Sequence, residues 1–227
     1  MTTAPAQPWF DRTRILPFGV RAPAEYGPVH ALQQRLLEER SAGRTPDAIL
    51  IGEHARVITL GRGVKQPPGP LPIPVVAVER GGQATWHGPG QLVAYPIVSL
   101  ADLRLSIREY LRALEEALLA TLRAFGVVGS RREGATGAWV GERKVASIGV
   151  AVRRRVTWHG VALNVSPDLS DFGLIEPCGF SPAVMTSLAQ LVADRAPPME
   201  AVTIALVREL VRALRLAPPI WEAEAAP

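Results

Sequence analysis

Three stretches of this 227-residue chain carry side chains whose types suit chemistry better than packing. The first is Arg80–Gln91, RGGQATWHGPGQ, with four glycines, a proline, a tryptophan, a histidine and an arginine in twelve residues. Gly81, Gly82, Gly88 and Gly90 open backbone angles closed to other residues and keep side chains out of a ligand's path. Arg80, Gln83, Thr85 and His87 supply polar groups, with Trp86 as a large apolar wall. A concave, mostly apolar site with a few placed polar groups has this composition. The alternative is a structural turn, although turns seldom need Arg, Trp and His together.

The second stretch, Ile175-Glu-Pro-Cys-Gly-Phe180, holds the only cysteine, Cys178. A lone cysteine is often a small buried hydrophobe. Set between a proline and a glycine, it can instead present its sulfur from a sharp turn, beside N–H groups able to face an oxyanion. A nucleophilic role needs the thiolate, and a free thiol with a pKa near ~8.5 is barely ionised at neutral pH. Lys144, His87 and His159 are the candidate cations or bases. Lys144 is one of two lysines in an arginine-dominated chain, the other being Lys65, and it opens the third stretch, Lys144-Val-Ala-Ser-Ile-Gly149. Lysine, unlike arginine, can give up its proton; a solvated lysine after a Gly-Glu-Arg turn is the competing reading. His159-Gly-Val-Ala-Leu-Asn164 resembles His87-Gly-Pro-Gly90 in kind, and the two His-Gly pairs hint at a shared pocket. Metal binding by His54, His87 and His159 is disfavoured, because no His-x-x-x-His spacing and no clustered carboxylates accompany them. Neither phosphate-binding glycine fingerprint is present.

These stretches need elements to hold them. Apolar residues at helical spacing predict a first helix over about 28–41, closing at Gly43. Ala48–Ile51 and Val57–Leu60 are short strand-like runs that suggest a hairpin. The proline-rich 66–74 segment is a loop between them and a strand at Val75–Val78. A further strand follows the glycine loop at Leu92–Leu100. Ser106-Ile-Arg-Glu109 is a capping box for a long helix whose Ile107, Leu111, Leu114, Leu118, Leu122 and Phe125 should lie on the sheet. Ala138–Val140, Val145–Val152 and Val156–Val165 read as an antiparallel meander, joined by short links. An irregular segment over 166–183 and helices at about 184–193 and 199–215 complete the chain. The expected fold class is α/β (α+β), a mixed, largely antiparallel sheet flanked by helices, in a single domain. Residues 1–13 and 218–227 are expected to be loose ends.

Composition narrows the functional classes. Hydrophobic residues make up 48% of the chain, enough for a real core. No apolar run approaches the ~18 residues of a membrane span, so no membrane partner is expected. No secretory signal opens the sequence, which makes a cytoplasmic address the expectation. One cysteine excludes an internal disulfide and a paired-cysteine zinc site. The net charge of +4 suits nucleic acid or an acidic protein partner equally. A basic nucleic-acid-binding module would explain the arginines and leave the Gly, His, Lys and Cys stretches unexplained.

In order along about residues 27–216, several separated motifs resemble the lipoyl(octanoyl) transferases, which begin protein lipoylation. They are Glu53-His54 leading to Val57-Ile-Thr-Leu-Gly61, Arg80–Leu92, Lys144–Gly149, His159–Asn164, Pro177-Cys-Gly179 and Thr186-Ser-Leu188. Trp86 stands where that family usually has tyrosine, and Ser147 where alanine is common. The resemblance implies a fold similar to biotin and lipoate protein ligase catalytic domains. It implies an octanoyl thioester of acyl carrier protein as donor. As acceptor it implies a lysine on lipoyl domains of 2-oxoacid dehydrogenase complexes or the glycine cleavage H protein. It places the nucleophile at Cys178 and its partner at Lys144. Acyl-substrate contacts fall on Arg80, Gly81, Gly82, Gln83, Ala84, Thr85, Trp86 and His87, on Ser147, Ile148 and Gly149, and on Gly160, Val161 and Ala162, with His159 in support. No cofactor, metal or nucleic acid is implied. An ATP-dependent lipoate or biotin ligase shares the fold, and its adenylate step would leave a Cys178/Lys144 pair superfluous.

Overall fold

The computed structural model describes residues 11–64, 69–176, 181–193 and 196–224. Among these, a seven-stranded sheet runs β10-β1-β2-β6-β9-β8-β7 and a three-stranded sheet runs β4-β3-β5. The strands are β1 (Thr13–Phe18), β2 (Ala48–Gly52), β3 (Val57–Leu60), β4 (Val75–Ala77), β5 (Ala84–His87), β6 (Gln91–Ile97), β7 (Gly137–Val140), β8 (Arg143–Arg153), β9 (Val156–Asn164) and β10 (Pro219–Trp221). The helices are α1 (Tyr26–Ser41), α2 (Ile107–Ala124), the short α3 (Leu188–Val192) and α4 (Met199–Ala213). All pairings in the large sheet are antiparallel except β1 with β2 and β1 with β10.

Period-two alternation divides the core. On β2 and β6, Ile49, Ile51, Leu92 and Ala94 face α2 and α4, while Leu50, Val93, Tyr95 and Ile97 face α1. Ser106 and Glu109 form the reciprocal capping box at the start of α2. Such a cap contributes about 1 kcal/mol. The α2 stripe differs in detail from the expected one. Ile107 is exposed and Tyr110 is fully buried, so the first turn meets the sheet through the aromatic ring.

Two expectations are corrected. Ala48–Ile51 and Val57–Leu60 do not form a hairpin: β2 pairs with β1 and β6, whereas β3 belongs to the small sheet. Both runs are buried on both faces, so neither carries the alternation that would fix it to the other. The chain between them changes sheets, held by backbone bonds of Ala24 to Glu53 and Ala55 and by the Glu53 carboxylate, which accepts the Gly90 N–H at 2.7 Å. The tail from Pro218 is not loose over its first residues. β10 pairs in parallel with β1, and Arg14 donates to Glu222 at 3.0 Å. β1 itself, starting at Thr13, lies partly in the expected leader.

Candidate active site

A cleft opens between the α1-side face of the large sheet and the small sheet. Its walls are Tyr26, Arg80, Thr85, His87, Val93, Tyr95, Ser147–Gly149 and His159–Ala162. The glycine loop thus contributes through three residues only. Strand β5 alternates: Thr85 and His87 face the cleft, while Trp86 turns away. Trp86 is 1% exposed and packs edge-on to Phe172 at 5.3 Å, within the apolar cluster of Ile58, Leu60 and Met185. It is a wall of the small sheet's core and not of the cleft. Gly81, Gly82, Gln83 and Ala84 do not line the cleft either.

Arg80 explains why the loop has this shape. Its guanidinium is buried and donates to the Thr59 carbonyl at 2.7 Å, to the Gln83 carbonyl at 2.8 Å and to the Gly81 carbonyl at 3.1 Å. The loop wraps its own cation. Gly82 adopts a φ of +82°, which a side chain resists, so Gly82→Val would strain the loop and not obstruct the ligand path. Crowding is real at Gly160, where a Cβ would sit 2.2 Å from the Ala94 carbonyl.

The two His-Gly pairs do meet at this cleft, accompanied by Tyr26 and Tyr95. Those tyrosines were missed because each sits on a segment that reads as ordinary core. The only signal was the Val93/Tyr95 alternation on β6. His54 has both ring nitrogens engaged: Nδ1–H donates to the Ala24 carbonyl at 3.2 Å and Nε2 accepts the Tyr95 hydroxyl at 2.8 Å. The carbonyl can only accept, which fixes the tautomer. His87 is fixed by a longer chain of amides. Asn164 Nδ2 donates to the Thr186 carbonyl at 2.9 Å, so Asn164 Oδ1 accepts from Gln91 Nε2 at 2.9 Å. Gln91 Oε1 must then accept His87 Nδ1–H at 2.6 Å, leaving the His87 Nε2 lone pair for the cleft.

Burial pushes His54 down to about 4, and burial with the neighbouring His54 pushes His87 down to about 3. Both are neutral at physiological pH and serve as hydrogen-bonding groups there. The sign of the pH effect on stability follows. Unfolded histidine titrates near ~6.5, so below that the unfolded chain takes protons the native state refuses. Stability is expected to be level above about pH 7.5 and to fall by about 2 kcal/mol per histidine by pH 5. Urea unfolding midpoints at pH 7.5 and 5 measure this. His87→Gln should recover its share of the acid loss, and equal midpoints for the native protein at both pH values would contradict the assignment.

Lys144 is not solvated: it is 2% exposed. Val145 is the extra residue of a bulge, since Ala138 pairs with Ala146 and Trp139 with Lys144. The bulge turns Lys144 onto the face shared by Trp139, Gly137 and Ser147. Its Nζ lies 5.5 Å from the Trp139 ring centroid. A Cβ on Gly137 would stand 3.0 Å from Lys144 Cε and 2.2 Å from the Ala146 carbonyl, so this position needs glycine. The Lys144 carbonyl accepts the Thr186 N–H at 3.0 Å, and Lys144 bridges Met185 in parallel. Lys144 is therefore fastened to the segment that follows the cysteine. Cys178 itself lies outside the described residues. Among the described residues, the metal-ligating side chains that converge are His30, Glu79 and His159, not His54, His87 and His159.

The mixed sheet with its flanking helices is a fold shared with solved lipoate protein ligases. It superposes on a putative lipoate protein ligase from Thermoplasma acidophilum with bound lipoic acid, at a TM-score of 0.70 over 94% of this chain and 90% of that one, with 18% identity. A lipoate-protein ligase A bound with ATP gives 0.69 over 94% and 89%, also at 18% identity. The lipoyl protein ligase A/B catalytic domain pattern matches residues 25–211, and the chain belongs to that family. It is 40% identical to an octanoyltransferase of Xanthomonas euvesicatoria over 93% of this chain and 92% of that one. An octanoyltransferase of Syntrophotalea carbinolica is 48% identical over 73% and 79%.

Proposed function

We propose that this octanoyltransferase works through an acyl-cysteine, taking its acyl group from octanoyl-acyl carrier protein and giving it to a lysine of a lipoyl domain. The Cys178 thiolate attacks the donor carbonyl, the new S–C bond forms as the carrier's C–S bond breaks, and the leaving carrier thiolate takes a proton from the Lys144 ammonium, which leaves Lys144 neutral. The acceptor lysine, once neutral, attacks the acyl-cysteine; an amide N–C bond forms, the Cys178 S–C bond breaks, and Lys144 takes the amine's proton. Both transfers start from a thioester, so no nucleotide is consumed. The cleft over the paired segments Ser147–Gly149 and Gly160–Ala162 takes the acyl chain, and each buried methylene contributes about 0.8 kcal/mol. Acceptors are lipoyl domains of 2-oxoacid dehydrogenase complexes and the glycine cleavage H protein. The setting is the cytoplasm; among the described residues no helix is long and apolar enough to cross a membrane.

The observation that carries this reading is Lys144, buried on the cleft face of β8 and bridged to Met185, just beyond the only cysteine. A surface cation would have no reason to be there. The test is transfer to an apo lipoyl domain, with two alternative acyl sources. Octanoyl-acyl carrier protein without ATP is expected to modify the domain, and free octanoate with ATP is not. Modification only in the second mixture would make the protein an adenylate-forming ligase.

A further inference from the structure

His159 is unusual in ways the acyl-transfer chemistry leaves unexplained. It is 2% exposed, its backbone adopts a φ of +54°, and its Nε2 has no hydrogen-bond partner. Buried ring nitrogens are seldom left unmet, and non-glycine residues at positive φ cluster at functional positions. The Gln33 side chain accepts the His159 N–H at 3.0 Å and so holds the residue in this conformation. The unmet nitrogen faces Glu79, with Nε2 3.7 Å from Glu79 Oε2. His30 Nε2 approaches the same oxygen at 3.2 Å. The two imidazoles stack with centroids 5.6 Å apart and planes 26° apart, and all three candidate ligand atoms lie within 4.8 Å of one another.

We propose that His30, Glu79 and His159 form a divalent-cation site of the two-imidazole, one-carboxylate kind that takes zinc, at the edge of the acyl cleft. Zinc bonds of about 2.0–2.1 Å arranged tetrahedrally put neighbouring ligand atoms about 3.3 Å apart. The spacings of 3.2 and 3.7 Å to Glu79 bracket that edge. Imidazole nitrogens favour zinc over magnesium or calcium. Glu79, with 39% of its side chain exposed, provides the way in for the ion. Three protein ligands leave a fourth position for water. The ligands come from α1, from the entry to the glycine loop and from β9, so the ion ties together three segments around the cleft.

The test uses the full chain, freed of metal with a chelator and titrated with zinc chloride against a chromophoric chelator at pH 7.5. One equivalent is expected to bind and to raise the melting temperature. His30→Ala and Glu79→Gln, both at partly exposed positions, should each weaken binding at least tenfold, while Cys178→Ser should not. Cobalt in place of zinc should give the intense visible absorption of a four-coordinate site in the native protein and not in His30→Ala. Absence of stoichiometric binding, or binding undiminished in both His30→Ala and Glu79→Gln, overturns the proposal. Loss with Cys178→Ser alone would overturn it too, by placing the ion on the thiol. None of these readouts depends on acyl transfer, so the site stands or falls separately from the catalytic reading.

Discussion

Mixed with octanoyl-acyl carrier protein, the protein is expected to gain one octanoyl group at Cys178, and Cys178→Ser is expected to gain none that a brief hydroxylamine treatment releases. Loss of the nucleophile should lower transfer to a lipoyl domain by roughly a thousandfold or more, since groups acting as a unit fail together. Intact mass followed by peptide mapping reads the adduct, and product formation reads the transfer. A serine oxygen is a far weaker nucleophile at neutral pH, and its ester would persist and resist hydroxylamine longer than a thioester. An adduct found on another residue, or normal transfer by Cys178→Ala, would remove the covalent route. It would leave direct attack of the acceptor lysine on the donor thioester. Because cysteine-to-serine changes one atom, the fold should be unaffected, and an unchanged urea midpoint would show it.

The parts of this architecture that could be read from sequence are those with a local physical cause. The box at Ser106 and Glu109 announces α2 because both partners lie within one turn. The β8–β9 pairing over Arg153–Val156 follows from a connection too short for anything but antiparallel strands. Where the cause is distant, sequence is silent. β10 exists because β1 leaves an edge open, and nothing within Pro219–Trp221, exposed throughout, carries that information. The hairpin expected between β2 and β3 failed for the same reason: two runs without alternation cannot declare which sheet will take them.

The cleft shows the same division. A histidine followed by glycine, twice, marks His87 and His159 because glycine and imidazole are both poor packing choices for a strand. Its size and the family resemblance make Trp86 read as a wall of the ligand site, although neighbours on a strand face opposite ways. Alternation from His87 would have separated them, at the cost of trusting that β5 begins by Ala84. The bulge at Val145 could not be inferred, because a bulge is a property of a pair of strands. Without it, Lys144 would fall on the opposite face from Ser147. The glycine at Gly137, with a φ of +143°, is the only sequence trace of that close approach.

Lys144→Arg is expected to separate charge from proton transfer. Arginine keeps the positive charge beside the cysteine segment, so acylation of Cys178 should survive at a reduced rate. It stays protonated at any accessible pH and so cannot take the acceptor amine's proton. Transfer should then fall by about 10²- to 10⁴-fold, the range attributed to a positioned general base. Space decides whether the comparison is clean. Lys144 is packed between the Trp139 ring and Gly137, and a planar guanidinium is broader than an ammonium there. Lys144→Met, which keeps the stem and deletes the charge, supplies the control: it should lose both acylation and transfer. The measurement is single-turnover acylation, followed by addition of an apo lipoyl domain to the isolated acyl-enzyme. A slow second step with a largely intact first assigns the proton to Lys144. Equal losses in both steps would mean that the larger head group disturbs the cysteine segment. Normal transfer by the arginine variant would exclude Lys144 as the base.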